Sequence, residues 1–528
     1  MRNEHFEVTI ENGEYWWGGT TSHRFCPISE HSEYHQDFRS HAGNQTMPLF
    51  VSSHGRYIWS DKPFKVDVKD GTFSFVGSDI ELVYAGNTLK DSYIAAQLAH
   101  FPCDKAKLEH KFFEVPQYNT WMEFTYYPTQ QGVLEYAHNI LNHGLEPGIL
   151  IIDEGWHIHT GYGHWDFDFS RFPDPKAMIR ELHSLGFYVM LWVTPFVTSV
   201  GPDFYRSINP LKGTDPESAK HLYKRTTEGE PAIVRWWNGT SAILDFTNTY
   251  DCQFLSRQLD HLMEDYGVDG FKFDGGSVSD YCDDNVINGK FAGSSTPAEM
   301  NGAWNKFGRK YRFHEFKDTY MGGGKNSIQR LQDRNHSWTD NGINEIIPCA
   351  INQGLIGHPF ICPDMVGGGQ WLNRYTPGFA VDEELFVRMA QCSALFPMIQ
   401  FSWAPWEACS QEHMKLCLEA AKLHTQMSNE ILTLVEESLV TGEPIIRCLE
   451  YNDPHQGFET VDDEFMLGMN ILVAPVVTKN TRRRNVVFPK GKWADADGNI
   501  YVGRQIYTVD APLEKLLWFR RVADQIYE

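Results

Sequence analysis

Val268-Asp-Gly-Phe-Lys-Phe-Asp-Gly-Gly276 is a short apolar run that carries a lysine and an aspartate two residues apart and ends in two glycines. Side chains alternate between the two faces of a strand, so Lys272 and Asp274 point one way while Phe271 and Phe273 point the other. A core does not hold an unpaired ammonium or carboxylate. We therefore predict that this pair lines a polar cavity, with Asp274 presented as a catalytic carboxylate at the end of a barrel strand.

The composition restricts the classes of partner. Among 528 residues, 46 Lys and Arg stand against 69 Asp and Glu, which gives a formal net charge of −23. Phosphate binding needs the opposite sign, so we expect neither a nucleic acid nor an anionic membrane as a partner. The 16 Trp and 23 Tyr residues exceed ordinary structural need and suit flat, apolar-faced ligands such as sugars.

The cysteines and the N-terminus indicate a reducing compartment. Ten cysteines are scattered along the chain without a CxxC pair, which indicates reduced thiols rather than a zinc ribbon or a disulfide framework. The first residues, Met1 to Glu7, lack the apolar stretch of a signal peptide, and no apolar run is long enough to span a membrane. If this is the native start, we expect a cytoplasmic location.

The residue pattern changes twice along the chain. Up to about residue 115, short alternating runs such as Gly71–Gly77 predict an N-terminal β-sandwich over residues 1–115. Strands then alternate with helices. The predicted strands are Trp121–Tyr126, Gly148–Asp153, Phe187–Val193 and Gly270–Asp274, and the predicted helices are Gln131–His143, Pro175–Leu185, Gln253–Tyr266 and Glu407–Met427. Repeated βαβ units predict an α/β fold with a closed (β/α)8 TIM barrel over residues 116–430. Returning strand runs at Ile471–Val477 and Asn485–Pro489 predict a C-terminal β-sandwich-like domain over residues 431–528.

Carboxylates and tryptophans cluster at the predicted strand ends and in the adjoining loops. The carboxylates are Asp153, Asp274, Asp333 and Asp364, and the tryptophans are Trp16, Trp17, Trp192, Trp236, Trp237, Trp338 and Trp371. Acids on a barrel rim suit metal binding, or glycosyl transfer in which one carboxylate attacks and another protonates the leaving oxygen. The aromatic surroundings favour a sugar pocket over a hydrated metal site.

Each candidate also has a structural interpretation. Asp274 and Asp340 could be turn residues, and Lys272 could be a solvated surface residue. Asp333 could form a salt bridge to Arg330 or Arg334. Asp153 could cap a helix, and Asp364 could position a loop without contacting a ligand. A separate string of His157, His159 and His164 suggests a metal site. No later histidine stands at a convincing strand end, so we expect no metal.

Several segments resemble glycoside hydrolase family 31. They are Phe172–Pro175, Leu182–Gly186, Val189–Pro195, Gly270–Gly276, Phe465–Gly468 and Leu472–Val476, in the order of that family. Four others, Trp16–Gly19, Val234–Gly239, Ile243–Asn248 and Gly357–Gly368, resemble the branch of the myogenesis-regulating glycosidase. The resemblance implies the three-part architecture predicted above and a retaining α-glycosidase that needs no cofactor.

The resemblance also implies roles for single residues. Asp274 corresponds to the nucleophile. In the branch, the proton donor lies in a segment that corresponds to Asp333-Arg-Asn-His-Ser-Trp338. General α-glucosidases of the family place it in a Trp-x-Gly-Asp-Asn segment, which would indicate Asp340, but this chain lacks that glycine. We favour Asp333.

We expect the remaining candidates to bind substrate. Asp153 and Lys272 would bind ring hydroxyls, and Lys272 would also keep Asp274 charged. Trp192 and either Trp236 or Trp237 would stack on the sugar, and a loop at Trp16 and Trp17 would close the pocket. Trp338 and Asp364 would complete the pocket. Lys317 is the residue that corresponds most closely in sequence to a substrate-binding arginine of the branch. Glu154 follows Asp153 where a second aspartate is expected.

The predicted function is exo-acting hydrolysis of a terminal α-linked sugar, with α-galactosidase as the first choice. The alternatives are an α-glucosidase, an α-xylosidase and an α-N-acetylgalactosaminidase. A non-catalytic carbohydrate-binding protein on a degenerate barrel is the second class, and a metal-dependent barrel hydrolase is the third. The expected partner is an α-linked oligosaccharide or glycoside, and the sequence is compatible with a homo-oligomer.

Overall fold

The computed structural model describes residues 4–21, 27–40, 43–158, 161–199 and 222–522. The chain divides into two compact units. The first contains residues 1–38, 45–117 and 322–528, and the second contains residues 39–44 and 118–321. None of the helices in the described ranges combines the length and the apolar composition that a membrane span requires.

The N-terminal part of the first unit is a β-sandwich. Its elements are β1 Glu4–Thr9, β2 Trp16–Thr20, β3 Tyr34–Asp37, β4 Gln45–Ser52, β5 Arg56–Trp59, β6 Lys65–Lys69, β7 Thr72–Gly77, β8 Glu81–Tyr84, α1 Leu89–His100 and α2 Lys111–Glu114. One sheet has the order β1-β7-β6-β3, and β2, β4, β5 and β8 form the other. Phe50 of β4 packs on Phe73 of β7 with 5.4 Å between ring centroids, so the two sheets share an aromatic core.

The second unit contains the βαβ part of the fold. Its elements are β9 Gln117–Asn119, α3 Trp121–Phe124, α4 Gln130–Asn142, β10 Ile149–Ile152, α5 Pro175–Ser184, β11 Tyr188–Val193, β12 Phe196–Thr198, β13 Ile233–Trp236, β14 Gly239–Ile243, α6 Thr249–His261, β15 Gly270–Phe273, α7 Pro297–Gly308, β16 Phe313–Phe316 and β17 Thr319–Tyr320. Strands β9, β10, β11, β15 and β16 pair in this order and run parallel. A helix lies between each pair along the chain, as the predicted barrel requires.

Local sequence explains these elements. The four residues of β10 are all apolar and buried, as in a parallel strand that is covered on both faces. Helix α5 begins where Asp174 accepts a hydrogen bond from the Ala177 amide at 2.9 Å, with Pro175 in the first helical position. Between β11 and α6, β12 and β13 flank β14 in a small antiparallel sheet.

The rest of the first unit begins with short parallel strands and ends in a β-domain. Its elements are β18 Ile328–Arg330, α8 Ile346–Leu355, β19 Ile361–Cys362, β20 Met365–Val366, α9 Glu383–Ser393, β21 Gln400–Phe401, α10 Pro405–Ala408, α11 Gln411–Gln426, α12 Ser428–Thr441, β22 Ile446–Arg447, α13 Leu449–Asn452, β23 Phe465–Leu467, β24 Ile471–Val473, β25 Arg483–Phe488, β26 Lys492–Asp495, β27 Ile500–Val502, β28 Gln505–Asp510 and β29 Trp518–Val522. The β18–β19 and β20–β21 pairs are parallel. A six-stranded sheet, β22-β23-β24-β29-β26-β27, packs against the β25–β28 pair, where Phe488 lies 4.7 Å from Phe519.

The prediction of a strand at Trp121–Tyr126 is wrong. The strand lies earlier, at β9, and the segment begins with the short helix α3. Aromatic residues favour strands. Here the Asn119 side chain accepts a hydrogen bond from the Trp121 amide at 2.7 Å, and the Phe124 amide donates to the Thr120 carbonyl at 2.9 Å. These local hydrogen bonds turn the chain into a helix.

Two other predicted helices have different N-terminal bounds. Helix α6 begins before Gln253 because Asn248 caps it by accepting from the Tyr250 amide at 2.9 Å. The helix predicted over Glu407–Met427 is divided into α10 and α11, with Ser410 as the N-cap of α11. Helix α1 was not predicted within residues 1–115; Thr88 and Asp91 form its capping box.

We predict that Gly270→Ala destabilises the protein by more than about 2 kcal/mol. A Cβ at Gly270 in β15 would lie 2.0 Å from the backbone oxygen of Phe313, its partner in β16, so the strands would have to separate. The matched control is Gly302→Ala in α7, where a Cβ meets nothing within 4 Å. The free energy of unfolding of that variant should rise by about 0.5–1 kcal/mol, because alanine has a higher helix propensity than glycine. Urea unfolding measures both, and equal effects would contradict the prediction.

Candidate active site

A buried ion pair lies where β9, β10 and β15 end in the second unit. Lys272 Nζ is 2.6 Å from Asp153 Oδ2, and each side chain is 3% exposed. The same oxygen accepts a hydrogen bond from Asn119 Nδ2 at 2.7 Å. The Glu154 amide donates to Asp153 Oδ1 at 2.9 Å. The side-chain hydrogen bond of Lys272 therefore goes to Asp153, and the prediction that the Lys272 charge keeps Asp274 ionised stays a prediction.

Asp274 is oriented by two N–H groups. Trp192 Nε1 donates to Asp274 Oδ2 at 2.9 Å, and the Gly275 amide donates to Oδ1 at 2.9 Å. The predicted alternation of faces is confirmed, because Phe273 packs on the other side against Phe316, with 5.3 Å between ring centroids. Strand β15 therefore has one charged face and one aromatic face.

Glycine is required directly after Asp274. Gly275 has a φ of +64°, and a Cβ there would lie 2.7 Å from the Phe196 ring and 3.3 Å from the Trp237 ring. Gly276 has a φ of +70°, and a Cβ there would lie 2.7 Å from the Trp304 ring. These two positive φ values turn the chain away from the strand, and only glycine fits against the aromatic rings at both positions.

The three tryptophans predicted to stack on the sugar take different positions. Trp192 is 1% exposed and donates to Asp274, so its predicted stacking role is corrected to that of a buried hydrogen-bond donor. Trp236 stacks on Phe196 at 4.2 Å and donates to Ser241 Oγ at 3.0 Å. Trp237 is 53% exposed. Of the three rings, Trp237 therefore offers the largest accessible surface to a ligand.

Glu154 is an acid that the sequence interpretation did not place in the site. Its carboxylate accepts hydrogen bonds from Tyr162 Oη at 2.6 Å and from the Asn238 amide group. Burial raises the pKa of Glu154 to about 8, and the Asp153 and Asp274 charges act in the same direction. The sequence signal that could have identified Glu154 is its position directly after Asp153, an aspartate at a strand end.

Lys317 follows the last residue of β16. Its amide donates to the Phe273 carbonyl at 3.3 Å, and the residue is half-buried. Lys317 is thus beside β15 in the second unit, and its predicted contact with substrate stays a prediction.

In the first unit, Arg330 holds two of the candidate acids. Its guanidinium donates to Asp333 Oδ1 at 2.9 Å and also pairs with Asp364. The Asp364 side chain is 1% exposed, and its Oδ2 accepts from the amides of Arg334 at 2.7 Å and Gly369 at 2.9 Å. Burial raises the pKa of Asp364, while Arg330 acts in the opposite direction. The predicted substrate contact of Asp364 is corrected to a buried support for Arg330.

Asp333 is the accessible member of this group, with 24% of its side chain exposed. The nearby Asp364 has a φ of +93°, a backbone conformation that is strained for a residue other than glycine. A Cβ at Gly369 would lie 2.8 Å from Asp364 Oδ1 and 2.9 Å from Asp333 Oδ1. The salt bridge from Arg330 to Asp333 that the sequence allowed is present, and it orients the carboxyl group.

The rival donor lies in an exposed turn. Asp340 has a φ of +39°, and its carbonyl accepts from Asn335 Nδ2 at 2.8 Å. Its carboxylate has no partner among the residues that the structure describes. Trp338, predicted to bind substrate, donates from Nε1 to Asp382 Oδ2 at 3.0 Å, and Lys479 Nζ is 2.6 Å from the same oxygen.

The prediction of a pocket-closing loop at Trp16 and Trp17 is wrong. Both residues belong to β2 and are 0% and 2% exposed. Trp16 contacts the Phe73 ring edge-on at 5.4 Å, and the Arg56 guanidinium lies 5.3 Å from the Trp16 ring centroid. Their apolar area is used within the N-terminal sandwich.

His157, the first residue of the histidine string, is part of an aromatic cluster. His157 lies 5.2 Å from the Trp165 ring, and its Nδ1 is 3.2 Å from the Ile158 carbonyl. His159 lies outside the described residues. In the part of the chain that the structure describes, the one group with ligand atoms close enough for a metal is Glu11, Glu14 and His54. There, Arg56 already pairs with Glu14.

Parallel βαβ units with carboxylates at their strand ends define the class of TIM-barrel domains whose polar site lies at the carboxyl ends of the strands. Residues 116–429 match the Glycosyl hydrolases family 31 TIM-barrel domain, and residues 442–523 match the Glycosyl hydrolase family 31 C-terminal domain. The chain belongs to glycosyl hydrolase family 31. The predicted fold class is confirmed, whereas the predicted domain bounds stay predictions.

Individual relatives agree with this assignment. The chain is similar to the mouse myogenesis-regulating glycosidase, with 32% identity over 76% of this chain and 55% of that protein. It is similar to alpha-glucosidase 2 of Bacillus thermoamyloliquefaciens, with 27% identity over 74% of this chain and 50% of that protein. The chain therefore spans about half the length of these relatives. The fold is similar to that of the cycloalternan-degrading enzyme from Trueperella pyogenes in complex with covalent intermediate, with a TM-score of 0.79, 19% identity, and coverage of 98% of this chain and 77% of that chain.

We predict that Glu154 makes stability depend on pH. The Glu154 pKa is 4.5 in an unfolded chain and about 8 in the folded protein, so its contribution is full below pH 4.5 and is lost as the pH rises towards 8. Between pH 5 and pH 8.5, the wild type should lose about 4 kcal/mol more unfolding free energy than Glu154→Gln. Glu264→Gln, at an exposed acid, should follow the wild type. Parallel curves for wild type and Glu154→Gln in urea unfolding would refute the assignment.

Proposed function

We propose that the protein is an exo-acting retaining α-glycosidase with Asp274 as the nucleophile and Asp333 as the proton donor. The proposal rests on the fixed orientation of Asp274, whose two oxygens each accept an N–H donor at 2.9 Å at the end of β15. A carboxylate oriented before substrate binds needs little reorganisation in the transition state. The glycines that follow form the turn that places this carboxylate at the end of the strand.

The reaction proceeds by two displacements. First, an Asp274 oxygen bonds to the anomeric carbon while the bond from that carbon to the leaving oxygen breaks, and Asp333 gives its proton to that oxygen. Asp333 then takes a proton from a water molecule, whose oxygen bonds to the anomeric carbon and releases Asp274. Two inversions retain the configuration, and the two carboxyl groups should stand about 5–5.5 Å apart.

Accessibility supports Asp333 over Asp340. Asp333 is partly exposed and is oriented by Arg330, which is itself fixed by the buried Asp364. Asp340 lies in an exposed turn without a side-chain partner among the described residues. A proton donor must stay aligned with the leaving oxygen, and an anchored side chain meets this requirement better than a solvated one.

The proposed sugar is galactose, released from the non-reducing end of an α-linked oligosaccharide or glycoside. The support is the motif resemblance at Val234–Gly239 and Gly357–Gly368. The alternatives are glucose, xylose and N-acetylgalactosamine. Glucose is supported by the matched Bacillus relative, which is named an alpha-glucosidase. The Lys272–Asp153 pair supplies a donor and acceptors for the hydroxyl groups that distinguish these sugars.

We predict that nitrophenyl α-galactoside is the preferred substrate. Assays of the α-galactoside, α-glucoside, α-xyloside and α-N-acetylgalactosaminide under the same conditions should give at least about tenfold higher kcat/KM for the first, because each well-made buried hydrogen bond to a hydroxyl contributes on this scale. The β-anomers serve as controls and should not be cleaved. A higher kcat/KM for another α-glycoside would contradict the proposed galactose specificity and assign the sugar of that substrate instead.

We predict that Asp274→Ala lowers kcat by at least about 10³-fold, because the covalent step is lost, without a change in unfolding midpoint. Azide should restore turnover of this variant and give the glycosyl azide of inverted configuration. In Asp333→Ala, azide should give the azide of retained configuration. Asp340→Ala serves as the matched comparison and should keep near wild-type activity. Retained azide from the Asp340 variant alone would transfer the donor role to Asp340.

A further inference from the structure

In the first unit, the chain after Asp333 folds back onto it. The Asn335 amide donates to the Asn341 carbonyl at 2.8 Å, and Asn335 Nδ2 donates to the Asp340 carbonyl at 2.8 Å. These hydrogen bonds close a loop that brings Asn341 into contact with Asp333, although the two residues are eight positions apart in the chain. We call residues 333–341 the donor loop.

The hydrogen bonds of the donor loop meet at the Asn341 side chain. Asn341 Nδ2 donates to the Asp333 carbonyl at 2.7 Å. Asn341 Oδ1 accepts from Arg334 Nη1 at 2.9 Å and from the Gln332 amide group. The Asn341 backbone amide donates to Glu345 Oε1 at 2.8 Å. One side chain is therefore hydrogen-bonded to Asp333 and to both of its neighbours in the chain.

Two residues hold different parts of Asp333. Arg330 Nη2 donates to Asp333 Oδ1 at 2.9 Å and so directs the carboxyl group. Asn341 holds the backbone from which that side chain extends. A misplacement of about 1 Å at a catalytic group can cost roughly 10²-fold in rate, so a carboxyl group that transfers a proton needs a fixed backbone as well as a fixed direction.

The end of the donor loop has a strained backbone. Asp340 and Asn341 have φ values of +39° and +58°, a region that Asn and Asp adopt more readily than other residues with a side chain. Directly after them, a Cβ at Gly342 would lie 2.0 Å from the Ser337 carbonyl oxygen. Such strain costs free energy and persists where the surrounding contacts fix the backbone. Here the fixing contacts of Asn341 lead to Asp333.

We propose that Asn341 is a positioning residue for the proton donor, because its side chain holds the Asp333 backbone and so keeps the carboxyl group aligned with the leaving oxygen. The inference rests on the proposed donor role of Asp333 and adds to it a residue that acts through the backbone. The segment that contains the rival acid Asp340 then supports Asp333 instead of replacing it.

The test compares two substrates that need the donor to different extents. Both carry the sugar preferred in the nitrophenyl assays: the α-glycosyl fluoride, whose leaving group needs little protonation, and the methyl α-glycoside, whose leaving oxygen must be protonated. In Asn341→Gly, the ratio of kcat/KM for the methyl glycoside to kcat/KM for the fluoride should fall at least about tenfold, as part of the roughly 10²–10⁴-fold that general acid catalysis contributes. Glycine adopts positive φ without strain, so this variant removes the hydrogen bonds and keeps the turn.

Two further variants accompany the test. Asn341→Asp keeps an acceptor for Arg334 and Gln332 but loses the donor to the Asp333 carbonyl, so its ratio should fall in the same direction. Thr339→Ala, at an exposed residue of the donor loop, is the matched control and should keep the wild-type ratio. Unfolding midpoints are measured for each variant alongside the kinetics.

An unchanged ratio in both Asn341 variants would overturn the proposal, and so would an equal fall of kcat/KM for the two substrates, which would indicate a general structural effect. The donor assignment has a separate outcome. Asp333→Ala should lower the same ratio more strongly than either Asn341 variant, and an unchanged ratio there would remove the donor role from Asp333. A lowered ratio in Asp333→Ala with wild-type ratios in the Asn341 variants would overturn only the positioning role.

Discussion

The buried Lys272–Asp153 ion pair is the interaction on which the second unit's candidate site depends. Removing two charges from water costs several kcal/mol per ion, roughly, and the attraction compensates only when the geometry is good and the remaining lone pairs are used. Here the contact is 2.6 Å, Asn119 donates to the same carboxylate, and the Glu154 amide donates to its other oxygen. The pair therefore links the ends of β9, β10 and β15, and an apolar substitute would remove the polar groups that a hydroxylated ligand requires.

The ion pair also determines how much negative charge its neighbourhood can hold. Asp153, Glu154 and Asp274 belong to the same unit, and the Asp153 and Asp274 charges both act on the Glu154 carboxyl. Lys272 compensates one of these acids directly. Burial raises the pKa of Glu154 to about 8, so this acid is largely protonated at neutral pH. Three acids can thus lie close together because one is paired and another is neutral, which leaves Asp274 to interact with Trp192 and the Gly275 amide.

Structural features that depend on a single helix or strand could be predicted from the sequence. Features that depend on contacts among several segments could not. The faces of β15 and the start of α5 at Asp174 follow from alternation and capping, which are local. Glu154 could not be assigned, because Tyr162 and Asn238 approach its carboxylate from other segments. The segment Trp121–Tyr126 was misassigned because aromatic content indicated a strand, whereas local hydrogen bonds form a helix.

The tryptophans show why composition alone does not define a sugar site. The number of aromatic residues indicates capacity for stacking, but a ring contributes only if one face remains accessible. Trp192 is covered by its own unit and acts through its N–H group, and Trp236 is stacked on Phe196. Trp237 remains exposed, and it directly precedes Asn238, whose side chain donates a hydrogen bond to Glu154. The hydrogen bond from Asn238 therefore connects the buried acid at the strand end to the chain segment that carries the accessible ring.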